Sequence, residues 1–379
     1  MRVLVDGRMD GRDGIGRYTR GLTASLRKYR PAFDVYVLAP TRTPRYSRAE
    51  GEELLQAARS CGADVVHIPD YRVPLEPAGM PLVVTVHDMM RLLDPRLCYS
   101  DTQFAARFGD TALSELRAMG SALRALADWP ASATRMPLST HEEFYGRMLA
   151  FAVGCAAAVI TPTHAVAGQV TRMSGERQRV HVSPYGIDHP PTRRARTHPA
   201  ELPGRYLLYV GQARAHKGLD NLHAAWPASD APRMGLRLVC AGADFAPGGD
   251  AARRLEERLG PAALPIGEVD DHELRQLYKG AEALLHLAEH EGFGFTPLEA
   301  LAAGTRVIAS DIPVLRETLG EHAEFVNPAD PAEVASAISR LLVTADRLTD
   351  RERRRGWAAQ YRWRRHVQDM TALYGQVAG

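Results

Sequence analysis

In the stretch EHEGFGFTPLEALAAG (289–304), Glu291 and Glu299 stand eight positions apart around two glycines, a proline and almost no other polar side chain. Carboxylates accept hydrogen bonds from hydroxyl groups, and glycines let backbone N–H groups approach a ligand closely. Thr296 reads as an N-cap, Pro297 as the first helical residue and Gly304 as the C-terminal stop. A helix N-terminus at this place offers N–H groups and a positive dipole end, which suits a phosphate. The segment therefore reads as a diphosphate cradle with a carboxylate on each side. Glu299 has a second reading, as the last residue of a T-x-x-E capping box begun by Thr296.

The elements that would position these groups alternate. Short runs rich in valine and isoleucine at 2–6, 33–39, 64–69, 82–88, 157–163 and 180–186 are separated by helix-length segments. The same rhythm restarts at 205–211, 236–242, 283–288, 305–310 and 323–328. Such alternation predicts βαβ units and parallel sheets. Between the two halves, DHPPTRRARTHPAELPG (188–204) carries four prolines and reads as a linker. The expectation is an α/β fold of two Rossmann-like domains facing across a cleft, with ligands at the carboxyl ends of the strands. Residues 92–142 exceed the length of a crossover helix. They read as a mostly helical insertion, either a lid or acceptor-recognition element or added scaffold.

Composition narrows the class. The 379 residues are 45% hydrophobic and 24% charged with net charge +2, so no nucleic-acid partner is expected. The arginine-rich run DRERRRGWAAQYRWRRH (350–366) reads as a solvated helix face, with an anionic membrane surface or partner as the alternative. Cys61, Cys98, Cys155 and Cys240 are widely spaced and form no C-x-x-C, which fits a reducing cytoplasm without disulfides or a zinc site. The start MRVLVDGRMD lacks an apolar signal core, and the longest apolar stretch, 148–160, is too short to span a bilayer and reads as a helix end running into a strand. An NAD-dependent dehydrogenase would need G-x-G-x-x-G directly after the first strand. DGRDGIGRYTRG comes late and lacks it.

The segment EHEGFGFTPLEALAAGTRVIASDIPVLRETLG resembles the E-x(7)-E region of the retaining glycosyltransferases of family 4, which have the two-domain GT-B architecture. VDGRMDGRDGIGRYTRGL, LVVTVHDMM, VHVSPYGID, YVGQARAHKGLDNLHAAW and YRWRRHVQDMTALYGQV extend the resemblance over nearly the whole chain. It implies an N-terminal acceptor domain over 1–190, a donor domain over 200–355 and a C-terminal helix (356–379) packing back on the first domain. The implied reaction moves a hexose from a nucleotide diphosphate donor to a hydroxyl acceptor, with retention. Lys217 would neutralise the leaving diphosphate, with Arg214 as second cation in place of the arginine that many relatives carry nearby. Gly294, Phe295 and Thr296 would give backbone amides to the diphosphate, Glu291 would hold the donor sugar, and Glu299 would hold the ribose. Ile266 and Val269 would pack the base, or belong to the core. His87 would bond the donor sugar. Gly16 would admit the phosphates, and Gly14, Arg17, Tyr18 and Asp88 would serve the acceptor. No D-x-D occurs in the chain, so no metal and no cofactor are expected beyond the nucleotide-sugar. GDP-mannose is the first expectation for the donor. The expected acceptor is a saccharide, a lipid-linked saccharide or a natural product, reached in the cytoplasm with a peripheral inner-membrane contact as an option. A hydrolysing epimerase, a phosphorylase and a non-catalytic carbohydrate-binding protein remain as alternatives on the same fold.

Overall fold

The β-branched runs become parallel strands buried on both faces, because helices cover each side of such sheets. The computed structural model describes all residues except 10, 12, 30–31, 78, 130–136, 138, 176–178 and 188–203. The chain divides into two units. One comprises residues 1–186 and 362–379, the other 187–361.

In the first unit, β1 (Arg2–Asp6), β2 (Asp34–Leu38), β3 (Val65–Ile68), β4 (Leu82–Thr85), β5 (Ala158–Thr161) and β6 (Val180–Val182) form a parallel sheet of order β2-β1-β3-β4-β5-β6. Every residue of β3, β4 and β5 is buried. The helices are α1 (Gly14–Tyr29), α2 (Arg48–Cys61), α3 (Met90–Leu93), α4 (Asp101–Phe108), α5 (Asp110–Leu126), α6 (Thr140–Cys155) and α7 (His164–Ser174). Where it is described, the long 92–142 segment is mostly helical, built from α4, α5 and the ends of α3 and α6. Ser100 and Gln103 close a capping box at the start of α4. The apolar 148–160 stretch is the end of α6 running into β5. The inserted helices attach through Tyr46, whose ring meets Phe104, Phe108, His141 and Phe144 edge-on. Residues 130–136 and 138 of the 92–142 segment, and nearly all of the proline-rich linker, lie outside the described residues.

The second unit holds β7 (Tyr206–Val210), β8 (Arg237–Ala241), β9 (Ala263–Gly267), β10 (Ala283–His286), β11 (Arg306–Ser310) and β12 (Glu324–Val326), in the order β12-β11-β10-β7-β8-β9. Its helices are α8 (Leu219–Ala225), α9 (Asp250–Leu259), α10 (Asp271–Gly280), α11 (Phe295–Ala303), α12 (Pro313–Leu319), α13 (Pro331–Val343) and α14 (Leu348–Ala358). The strand pattern in the sequence omits β9. Its residues ALPIG include a proline and a glycine, which a strand tolerates at a sheet edge, and β9 is an edge strand.

The last helix, α15 (Trp363–Ala378), belongs to the first unit. Trp363 is buried in a slot between Gly21 and Gly186. A Cβ at Gly21 would lie 2.0 Å from the indole and one at Gly186 2.1 Å from the Trp363 backbone nitrogen. A buried polar chain completes the seam. The Tyr18 hydroxyl lies 3.2 Å from Thr85 Oγ1 and 3.1 Å from His366 Nε2, and Ser183 Oγ donates to Asp369 Oδ2 at 3.0 Å. The break between units falls at Tyr361/Arg362 and not at the expected 355/356. That earlier position lies inside α14, whose end is held in the second unit by Trp357 Nε1 and Tyr361 Oη, both donating to the Thr318 carbonyl. No helix among the described residues is long and apolar enough to cross a membrane.

Candidate functional site

The second unit gathers its polar residues at the carboxyl edge of the sheet, around the reversal of strand order between β7 and β10. Lys217 follows β7 through a short 3₁₀ turn (Ala215–Lys217), and Glu291 follows β10. The two loops are tied by a backbone bond, Glu289 N–H to His216 C=O at 2.8 Å. Gly218 lets them close. Its φ is +69°, and a Cβ there would lie 2.2 Å from the Leu287 carbonyl oxygen.

Lys217 Nζ meets Glu291 Oε1 at 2.5 Å. His286, the last residue of β10, places Nε2 3.2 Å from the same oxygen. Burial opposes ionisation of Glu291, but the Lys217 ammonium and the His286 ring override it and hold the carboxyl well below its ordinary range. His216, the chain neighbour of Lys217, is buried. Desolvation and the adjacent Lys217 lower its pKa to about 4, so it is neutral at pH 7. Arg214 is exposed at the start of the turn.

Helix α11 begins two residues earlier than the sequence suggests. Gly294 is its N-cap, with φ +85°, and no side-chain cap bond is made. The T-x-x-E capping box therefore does not form, because Thr296 is already helical. Only glycine fits at 294, where a Cβ would lie 2.8 Å from Leu315 Cδ2. Phe295 and Thr296 occupy the first two helical positions, ahead of Pro297, which has no N–H. Glu299, one turn further on, accepts from Tyr278 Oη at 3.3 Å. Ile266 and Val269 are half-buried at the end of β9 and just before α10.

The remaining expected site residues lie in the first unit, and several have structural duties. His87 sits two residues past β4 with both ring nitrogens engaged. Nε2 is 2.9 Å from the Pro69 carbonyl and Nδ1 is 2.8 Å from the Tyr185 hydroxyl. A carbonyl only accepts, so Nε2 carries the proton and Nδ1 accepts from tyrosine. Burial lowers the His87 pKa, which keeps the ring neutral. Asp88 has a structural duty beside it. Its Oδ1 accepts from the Met90 amide at 3.0 Å, at the start of α3. Tyr18 does not line a pocket, being fully buried against Thr85 and His366. Gly16 does not present its amide to a ligand. It donates to Asp13 Oδ1 at 2.8 Å, and a Cβ there would lie 2.0 Å from the Gly11 carbonyl oxygen. Gly14 opens α1 in open space, and Arg17 is half-buried with its amide bonded to the Asp13 carbonyl.

Sequence reasoning missed His286. Its signal is a lone titratable residue closing the otherwise apolar strand ALLH, five positions before Glu291. It also misread part of the arginine run. Arg354 forks onto the Gly304 carbonyl at 3.0 and 2.8 Å, and Arg355 reaches the Ala303 carbonyl at 3.3 and 3.1 Å. These two guanidinium groups satisfy the carbonyl end of α11, where a cation also suits the helix dipole.

Two family models match the chain, "Glycosyltransferase Family 4" over residues 18–189 and "Glycosyl transferases group 1" over 193–359. The O-antigen chain mannosyltransferase RfbU of Salmonella typhimurium is 35% identical over 144 residues, 36% of this chain and 38% of that protein. The GDP-mannose:cellobiosyl-diphosphopolyprenol alpha-mannosyltransferase of Xanthomonas oryzae is 30% identical over 178 residues, 44% of this chain and 46% of that protein. The chain thus spans less than half the length of these curated relatives. Among solved structures, sucrose-phosphate synthase from Thermosynechococcus elongatus superposes with a TM-score of 0.68 at 19% identity, covering 100% of this chain and 99% of that one. Anabaena HepE in complex with UDP-glucose gives 0.65 at 15% identity, covering 100% of this chain and 98% of that one. These two likenesses speak to the fold alone.

Proposed function

Because the chain belongs to the family 4 glycosyltransferases, we propose that it moves a hexose from a nucleotide diphosphate donor to a hydroxyl acceptor with retention at the anomeric carbon. The observation that carries this reading is the Lys217–Glu291 pair beside the N-terminus of α11. A cation and a helix N-terminus on one sheet edge suit a diphosphate leaving group, whose developing charge is what the transition state must stabilise. Glu291 beside them suits the sugar hydroxyls, and Glu299, one helical turn along, suits the ribose. The reaction needs no metal in this reading, since Lys217 and the first-turn amides meet the phosphate charge. The leaving phosphate takes the acceptor proton, so no separate general base is required.

GDP-mannose is the donor we favour, supported by the mannosyltransferase relatives. The acceptor class is a cell-surface saccharide or its lipid-linked precursor. The test is a thermal-shift screen with GDP, UDP and dTDP and their sugars, followed by the anomeric configuration of the product by NMR. The expected result is stabilisation by GDP above the other two and a product with the donor's configuration. If no nucleotide shifts the melting curve, the reading fails. A sugar 1-phosphate product in phosphate buffer would instead identify a phosphorylase.

A further inference from the structure

Glu291 cannot serve a sugar and also remain fastened to Lys217 once a diphosphate draws the ammonium away. Their contact is short, at 2.5 Å, and the carboxylate is only 16% exposed. A buried anion that loses its cation is costly unless another group takes its place. One group stands ready. His286 Nε2 is buried, lies 3.2 Å from Glu291 Oε1, and makes no hydrogen bond among the described residues. A buried ring nitrogen without a bond is itself unfavourable, and a small rotation of the carboxylate toward it would relieve both costs. The rest of the residue is fixed. His286 pairs with Ala309 in the sheet, and its carbonyl accepts from Ser310 Oγ at 3.5 Å. The imidazole therefore stays while the carboxylate and the ammonium move.

We propose that His286 is a positioning residue that takes over the Glu291 carboxylate when the donor diphosphate draws Lys217 away. This rests on the functional reading above. The Nε2–H donates to Oε1, no proton is transferred, and Glu291 stays ionised and aimed while Lys217 turns to the phosphates. The unliganded ion pair is thus a latch, and His286 lowers the cost of opening it.

The test is a double-mutant cycle read by calorimetric titration of the whole chain with GDP and with UDP. In the Glu291 background, His286→Phe should weaken the better nucleotide about tenfold. In the Glu291→Gln background there is no anion to catch, so the same change should matter less than about twofold. His286→Gln, which restores an N–H donor, should keep affinity within about threefold of the unaltered protein. A merely structural histidine would give equal losses in both backgrounds, and that result overturns the proposal, as does an unchanged affinity in His286→Phe. Melting temperatures of all variants check folding, and His286→Gln decides the matter if His286→Phe does not fold. If neither nucleotide binds the unaltered protein, the functional reading falls with it. Binding without coupling removes only the role of His286.

Discussion

Glu291 ties protein stability to pH, and the sign follows from its surroundings. Its folded-state carboxyl lies below the ordinary range, so below about pH 4.3 the unfolded chain binds the extra proton first. The stabilisation is present above that pH and fades as acid is added. Glu291→Gln should therefore flatten the acid limb of the stability curve, measured by urea midpoints between pH 3 and 7. Lys217→Ala should lower unfolding free energy by about 2 kcal/mol, less than the roughly 3–5 kcal/mol of a fully buried pair because both side chains keep some exposure. The same change should reduce turnover by roughly 10²–10³-fold, as loss of one charge-stabilising donor commonly does. Intact turnover in that variant would remove Lys217 from the reaction. At this scale Glu291 stood out by its place just after a strand end, Glu299 by its place in the first turn of the expected next helix, and Lys217 only through the family resemblance. The sequence could not announce that Tyr18 and Gly16 are packing residues. Their motif marks a loop, whereas their burial depends on Gly11 and His366, one five residues upstream and the other at the far end of the chain.

Helix α11 is held at both ends, and each end offers a test. Gly294→Ala forces a Cβ into Leu315 at a positive φ and should cost at least about 1 kcal/mol. It should also weaken nucleotide binding, since it moves the first helical turn. At the other end, Arg354→Ala removes a buried fork onto Gly304 and leaves Asp346 without a 2.5 Å partner, a loss of about 2 kcal/mol by denaturant midpoint. Arg354→Lys should recover only part of it, because an ammonium cannot fork. Full stability in Arg354→Ala would show that the carbonyls of α11 need no cap from α14. The sequence marked the end of this helix at Gly304 and missed its beginning. The reason is that Thr296 and Pro297 fit a helix start wherever the turn is set, and the turn is set by Gly294 against Leu315. It also read the arginines by composition. Composition cannot say which of several neighbouring guanidinium groups faces a carbonyl.

On the scale of the whole molecule, the α/β class and the two parallel sheets followed from the spacing of valine-rich runs. The unit boundary did not, because an α-helical pattern continues through residues 348–378 with a break of only four residues between α14 and α15. What separates them is contact: the hydrogen bonds of Trp357 and Tyr361 to Thr318 on one side, the packing of Trp363 against Gly21 and Gly186 on the other. Trp363→Ala should cost about 4 kcal/mol in the unfolding of the first unit and leave the second unit's nucleotide affinity unchanged. A single loss shared by both would mean that they unfold together.

Ile187 N–H bonds the Tyr361 carbonyl at 3.1 Å, so the two strands of chain that lead into and out of the second unit meet side by side. During synthesis on the ribosome, the first unit must therefore wait. Its glycine slot stays empty, and the hydroxyl of Tyr18 lacks the imidazole of His366, until residues well past 361 have left the exit tunnel. The later half of the gene product can close its own sheet while the earlier half is still unfinished.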